Sequence, residues 1–189
     1  MSENHVYTFD DLKSMAGGAI TVIEEYKKFP EDTMNLKLNP KTWSAAEVCR
    51  HLIQFNCIYL DLIESAINKS NPEKTQKKGF KPGWMAGKMI SFMEPPYKIG
   101  VKTISPLKPQ INENTALDTF NELINTEERL IEFLDTAENH SVNLDKLKAF
   151  HPVFKVFRMS VTEYILLLDA HQRRHFWQIE QILKRLSTD

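Results

Sequence analysis

The C-terminal stretch from Ser160 to Leu186 carries the strongest folding signal in this sequence. It opens with Ser-Val-Thr-Glu, a capping box in which the serine and the glutamate bond reciprocally to the free N–H groups of a helix start. Apolar residues then recur at steps of three and four, the period of a helix with one buried face. This stripe contains Val161, Tyr164, Ile165, Leu168, Ile179, Ile182 and Leu186. The pattern predicts a long helix that packs one face against a core.

Two histidines lie on the core-facing side of this predicted helix. His171 and His175 are four residues apart. That spacing places two side chains about 5–6 Å apart at Cβ on one helical face, where two imidazoles can reach one metal ion. Buried ring nitrogens need partners, because an unpaired buried polar group costs roughly 1–3 kcal/mol. A metal ion would be one such partner.

A second helix with a capping box carries a third core-facing histidine. Ser-Ala-Ala-Glu at 44–47 starts this predicted helix, which runs to about Asn68, and His51 lies beside its apolar stripe. A lone histidine on an apolar face is more often a hydrogen-bonded core residue than a ligand. Together with the His171/His175 pair, however, it completes a three-imidazole donor set. Such a set suits Zn, Ni or Fe(II) rather than Mg or Ca.

Two further amphipathic patterns complete the predicted fold. One helix begins near Thr8 and ends before Phe29, and residues 31–42 are predicted to be a connection. Another runs from about Thr115 to about Thr136. The sequence shows no convincing alternating strand, no glycine-rich phosphate loop and no internal repeat. It therefore predicts an all-α fold, a four-helix bundle that forms a single domain over residues 1–189.

Residues 69–112 form a long crossover between the second and third predicted helices. The segment is rich in Lys, Pro and Gly, and its nine lysines oppose only Glu73 and Glu94. Its one apolar patch, at 84–93, predicts a short helix packed on the bundle. We favour this solvated crossover over an anion-binding lid. A connection this long lets the two helices that flank it run parallel.

Charge and composition exclude several kinds of partner. The 24 Lys and Arg residues balance 25 Asp and Glu residues, which gives no reason to expect nucleic acid or an anionic membrane as a partner. No apolar run approaches the roughly 20 residues that span a bilayer, and no signal-peptide pattern is present, so we expect a cytoplasmic protein. Cys49 and Cys57 are eight residues apart on one predicted helix, which favours reduced thiols over a disulfide.

Residues around the three histidines limit the type of reaction that a metal ion held there could support. Gln172 occupies the position of the general base in a His-Glu-x-x-His metalloprotease helix, so that mechanism loses its base. Glu127 falls in the apolar stripe of the third helix, where it either accepts from a metal-bound imidazole or, as we favour, extends to the helix edge. His140 and His151 lie in an irregular stretch and are predicted to be surface or loop residues.

The segments WSAAEVCRHL (43–52) and HQRRHFWQI (171–179) resemble the DinB/YfiT-like superfamily. In that family a four-helix bundle, with a long crossover between helices two and three, binds a divalent metal, commonly nickel or zinc. The ligands are one histidine on helix two and a His-x-x-x-His pair on helix four. The resemblance thus implies that His51, His171 and His175 hold the metal, and it assigns no catalytic residue.

The family implies a small-molecule substrate and allows two readings of the function. Some relatives are S-transferases or isomerases that use low-molecular-weight thiols such as bacillithiol or mycothiol, and others are described as metal-dependent hydrolases. A homodimer is expected by fold-level analogy only. The alternative is a non-catalytic metal-binding or stress-response protein, in which Glu127, Gln54 or Gln178 fills the fourth coordination position. The lysine-rich crossover and the sequence at 157–159 depart from the simplest relatives.

Overall fold

A computed structural model describes residues 5–73, 77–96, 103, 107–109, 114–152 and 155–188 of the chain. The described residues form six helices and one small two-stranded antiparallel sheet, so the protein is predominantly helical, as the sequence predicts. The elements in chain order are α1 Phe9–Tyr26, α2 Glu31–Asn35, α3 Ala45–Asn68, α4 Trp84–Met93, α5 Ala116–Asn139, β1 Lys148–Phe150, β2 Arg158–Ser160 and α6 Val161–Leu186.

The four long helices begin at the predicted capping residues. Thr8, Ser44, Thr115 and Ser160 each accept a hydrogen bond from the backbone N–H three residues later, and the carboxylate at that position accepts one in return. Each box therefore satisfies two N–H groups that a helix start would otherwise leave unpaired. The predicted starts of α1, α3, α5 and α6 are confirmed.

The long helices enclose two apolar clusters. α1 and α3 each pack against both α5 and α6. One cluster includes Phe55 of α3 and Leu168 of α6, whereas the other includes Leu52 of α3 and Ile179 of α6. On these two helices the histidines lie along the chain where one cluster gives way to the other. The polar groups thus lie between two apolar regions of the interior.

The crossover between α3 and α5 is described only in part. Its predicted short helix is confirmed as α4, which packs against α6. Arg173 of α6 forms an ion pair with Glu94 at the end of α4, at 2.6 Å. Residues 74–76, 97–102, 104–106 and 110–112 of the predicted 69–112 crossover, which include Lys74, Lys98 and Lys102, lie outside the described residues.

Three short elements, α2, β1 and β2, differ from the sequence prediction. The predicted connection at 31–42 contains α2, which follows Pro30 and carries two acidic residues in its first turn. These features favour a helix start even without a sustained apolar period. The irregular stretch before α6 contains β1 and β2, whose three residues each are too few to show an alternating pattern. Among the helices of the described residues, none has the length and apolar character needed to cross a bilayer.

Candidate metal centre

The structure brings together the three histidines that the sequence selected. His51 projects from α3, and His171 and His175 project from α6. One ring nitrogen from each lies within 4.8 Å of the other two, and at most 9% of any of the three residues is exposed. The ring centroids are 4.5 to 5.2 Å apart. Three separate imidazoles thus point their nitrogens at one small volume.

The His171/His175 pair has the spacing of two ligands on one ion. Their Nε2 atoms are 3.2 Å apart. Two nitrogens bound at about 2.0–2.1 Å to a tetrahedral ion lie roughly 3.3 Å from each other. The separation of the two Nε2 atoms therefore matches that of two nitrogen ligands on one ion.

Hydrogen bonds fix which nitrogen of two of the rings is available. His51 Nδ1 lies 2.6 Å from the backbone carbonyl oxygen of Leu107. His175 Nδ1 lies 2.8 Å from the amide oxygen of Gln178. Because both partners only accept, each Nδ1 carries the proton and donates it, and each Nε2 keeps a lone pair. This is the arrangement that orients a histidine for metal binding.

The third ring is held by stacking. His171 lies against Phe55, with ring centroids 3.7 Å apart and planes 17° from parallel. Its Nδ1 is buried and has no hydrogen-bond partner in the described part of the chain. The Nε2 of the same ring lies 3.2 Å from that of His175, so His171 presents Nε2 to the cluster, and three neutral imidazoles are a usual ligand set for Zn²⁺ and Ni²⁺. The donor set fits a metal ion.

Burial keeps the three imidazoles neutral. Desolvation, reinforced by the neighbouring His51, lowers the pKa of His175 to about 3. The pKa of His171 lies well below its usual value for the same reasons, and burial lowers that of His51 although the Leu107 carbonyl opposes the shift. Neutral imidazole is the form that binds metal, so the rings are ready as ligands near pH 7.

A buried carboxylate bonds to Gln172, the residue that follows His171 on α6. Glu127 is only 2% exposed, so the prediction that it extends to the helix edge is wrong. Its Oε1 accepts hydrogen bonds from Asn56 at 2.8 Å and from Gln172 at 2.6 Å, which offset its desolvation. Burial nevertheless raises the pKa of Glu127 to about 7. The Glu127 carboxylate of α5 thus bonds to α3 through Asn56 and to α6 through Gln172, the residue next to His171.

The two remaining histidines predicted in loops have different surroundings. His140 is exposed at the C-terminal cap of α5, as expected. His151 is 4% exposed, so its prediction as a surface residue is wrong. The hairpin of β1 and β2 folds it back onto α3, where its Nε2 lies 3.0 Å from the hydroxyl of Tyr59. It is not part of the three-histidine cluster.

A pocket of about 490 Å³ opens beside His175. Gln178 lines it, and so does Trp43, whose ring packs on His51 with centroids 5.2 Å apart. Nothing in the sequence distinguishes Trp43 as a pocket residue, because it appears only as the residue before the Ser44 cap, and the Leu107 carbonyl is a backbone group that no residue type marks. The pocket gives small molecules a route to one edge of the cluster.

The chain was compared with protein-family models, with curated proteins and with solved structures, and none of them matches. The assignment of the site therefore depends on the geometry of its own residues.

Proposed function

We propose that this protein is a DinB-like metalloprotein that binds a divalent ion, nickel or zinc, through His51, His171 and His175. The observation that carries the proposal is the convergence of three neutral, buried imidazoles from two helices. Four long helices and the long connection between α3 and α5 support the DinB-type bundle with its crossover between the second and third long helices. The unpaired thiols of Cys49 and Cys57 suit a reducing compartment, the cytoplasm.

We further propose that the site is catalytic, of the thiol S-transferase or hydrolase type. A divalent ion held by three imidazoles lowers the pKa of a coordinated thiol or water towards neutrality. The protein's part is to hold the rings: Leu107 and Gln178 fix His51 and His175, and Phe55 supports His171. The adjoining pocket supports an approach by a small substrate from the His175 side.

Two of the three side chains that could fill the fourth coordination position, Gln178 and Glu127, have other partners. The amide oxygen of Gln178 accepts from His175 Nδ1, and Glu127 accepts from residues of three helices, Asn56 of α3, Thr126 of α5 and Gln172 of α6. These contacts favour an open fourth position, which a catalytic site requires.

One observation favours the non-catalytic alternative. The amide oxygen of Gln54 is buried without a hydrogen-bond partner in the described residues, and Gln54 lies one helical turn after His51. An amide oxygen on the fourth position would close the site and make the metal structural. In that case Gln54→Leu weakens metal binding, whereas an open site leaves the metal affinity of this variant unchanged.

Conjugation of a fluorogenic bimane electrophile to a panel of thiols tests the transferase function. Metal-loaded protein is expected to accelerate conjugation of at least one of bacillithiol, mycothiol, cysteine and glutathione above the rate with metal-free protein. His175→Ala should lose the acceleration, and the exposed His140→Ala should keep it. Parallel reactions with nitrophenyl esters test hydrolysis. The catalytic proposal fails if neither assay distinguishes metal-loaded from metal-free protein.

A further inference from the structure

The pocket beside His175 has a one-sided charge. Its described lining includes the cationic residues Lys41, Arg174 and Arg185, and it includes no carboxylate. Lys41 and Arg185 are exposed, whereas Arg174 is 6% exposed. A concave surface lined by charges of one sign concentrates ions of the opposite sign. The pocket therefore favours anions over cations and neutral molecules.

Neighbouring arginines on α6 have different partners. Arg173 pairs with the carboxylates of Glu94 and Asp169. Arg174 instead donates to the backbone carbonyl of Phe92 at 3.4 Å and lies 6.0 Å from the centre of the Phe92 ring. Contacts with a carbonyl and a ring hold the guanidinium of Arg174 in place beside the pocket, which it lines. Arg173 does not line the pocket.

Two indole rings give the same pocket an apolar component. Trp43 and Trp177 both line it, and the Trp43 ring also packs on His51. Flat aromatic side chains bind the body of a small organic molecule, and a volume of about 490 Å³ is in the range of small-molecule sites. The combination suits a compact molecule with a carbon skeleton and an anionic group, more than an inorganic ion.

We propose that this pocket selects small organic anions and presents them to the edge of the metal centre at His175. Lys41 and Arg185 bind the carboxylate or phosphate group by charge-assisted hydrogen bonds, and the indoles contact the carbon skeleton. The inference rests on the proposed function, since it names the chemical class of the substrate. The pocket itself is made of protein side chains, so its selectivity persists without metal.

Binding of four matched probes to the metal-free protein tests the proposal. The probes are benzoate, phenyl phosphate, benzyl alcohol and benzylamine, measured at low ionic strength by the fluorescence of Trp43 and Trp177 in a Trp84→Phe background. Trp84 is replaced because it is 71% exposed and lines a different pocket. We expect at least one anion to bind about tenfold more tightly than benzyl alcohol, with benzylamine weakest. The tighter of the two anions identifies the group as carboxylate or phosphate.

A matched pair of double variants separates the effect of the pocket residues on anion binding from the effect of the protein's overall charge. Lys41→Ala/Arg185→Ala should abolish the preference for anions, and Lys155→Ala/Lys184→Ala, which removes two exposed charges outside the pocket, should retain it. Equal affinities for anion and alcohol, absence of saturable binding, or equal losses in both double variants would overturn the proposal. If the wild-type protein selects anions but binds no metal, the metal centre alone is refuted. Metal binding without anion selectivity would refute the pocket alone.

Discussion

Gln178 illustrates how one amide group prepares a ligand. Its oxygen accepts the proton of His175 Nδ1 and so directs the Nε2 lone pair towards His171. We expect Gln178→Leu to weaken Zn²⁺ or Ni²⁺ binding by about 10–100-fold, the usual effect of losing such a partner. Competition with a chromophoric chelator measures this change. Gln181→Leu is the control, because Gln181 lines the same pocket and has no hydrogen bond to the histidines among the described residues. Similar affinities in the two variants would contradict the role of Gln178.

Glu127 makes stability depend on pH. Its folded-state pKa of about 7 lies above the ordinary value of 4.5, so the folded protein binds its proton more tightly than the unfolded chain does. The stabilisation of the folded state by Glu127 therefore falls as the pH rises from 4.5 to about 7. Glu127→Gln cannot ionise. We expect its stability relative to wild type to rise by roughly 1–3 kcal/mol from about pH 5 to about pH 8.

Urea unfolding of both proteins across this pH range measures the effect. The difference between the proteins is the relevant quantity, because the buried histidines have lowered pKa values and give each curve the opposite slope below about pH 6.5. A difference that stays constant with pH would mean that Glu127 is ionised in the folded protein throughout.

At the scale of single residues, helical spacing selected the three histidines of the cluster correctly, because spacing determines which face of a helix a side chain occupies. It could not identify the Leu107 carbonyl, since every residue has one. Helical spacing also did not predict that His151 is buried, because its burial depends on a hairpin. It did not predict that Glu127 is buried, because that depends on donors from two other helices.

The helices that carry the ligands depend on their capping residues. Ser44 and Ser160 begin α3 and α6, and both accept from the N–H three residues later. We expect Ser44→Ala and Ser160→Ala each to lower the free energy of unfolding by about 1 kcal/mol. Ser65→Ala is the control, because Ser65 is exposed inside α3, where alanine is the better helix former. Denaturant titration measures the free energy of unfolding of each variant. Losses no larger than that of Ser65→Ala would show that the caps are dispensable.

The same capping signals explain why the long elements were predictable. A helix cap followed by several turns of apolar period defines a helix from local sequence alone. The two predicted capping boxes, at Ser44 and Ser160, and the two predicted threonine caps, at Thr8 and Thr115, all begin helices. α2, β1 and β2 contain five residues or fewer, too few for a period to appear. Their formation depends on neighbours that the sequence does not identify.

At the scale of the whole molecule, the apolar faces predict that the helices pack but not which helices become neighbours. The proposed metal centre requires α3 beside α6, two elements far apart in the chain. The sequence placed the three histidines on core-facing sides of two helices, and the family resemblance implied that these helices are neighbours, whereas in the structure the two helices are in direct contact. The crossover helix α4 and its ion pair to Arg173 could not be placed on α6 from composition.

The metal content of the purified protein tests the central claim most directly. Protein prepared without chelators or nickel resin should contain about one divalent ion per chain by elemental analysis, nickel or zinc, since the site has one set of three nitrogen ligands. His51→Ala and His175→Ala should lose the ion, and the exposed His140→Ala should retain it. Absence of a stoichiometric metal from the wild type, or an equal metal content in His51→Ala, would contradict the three-histidine centre.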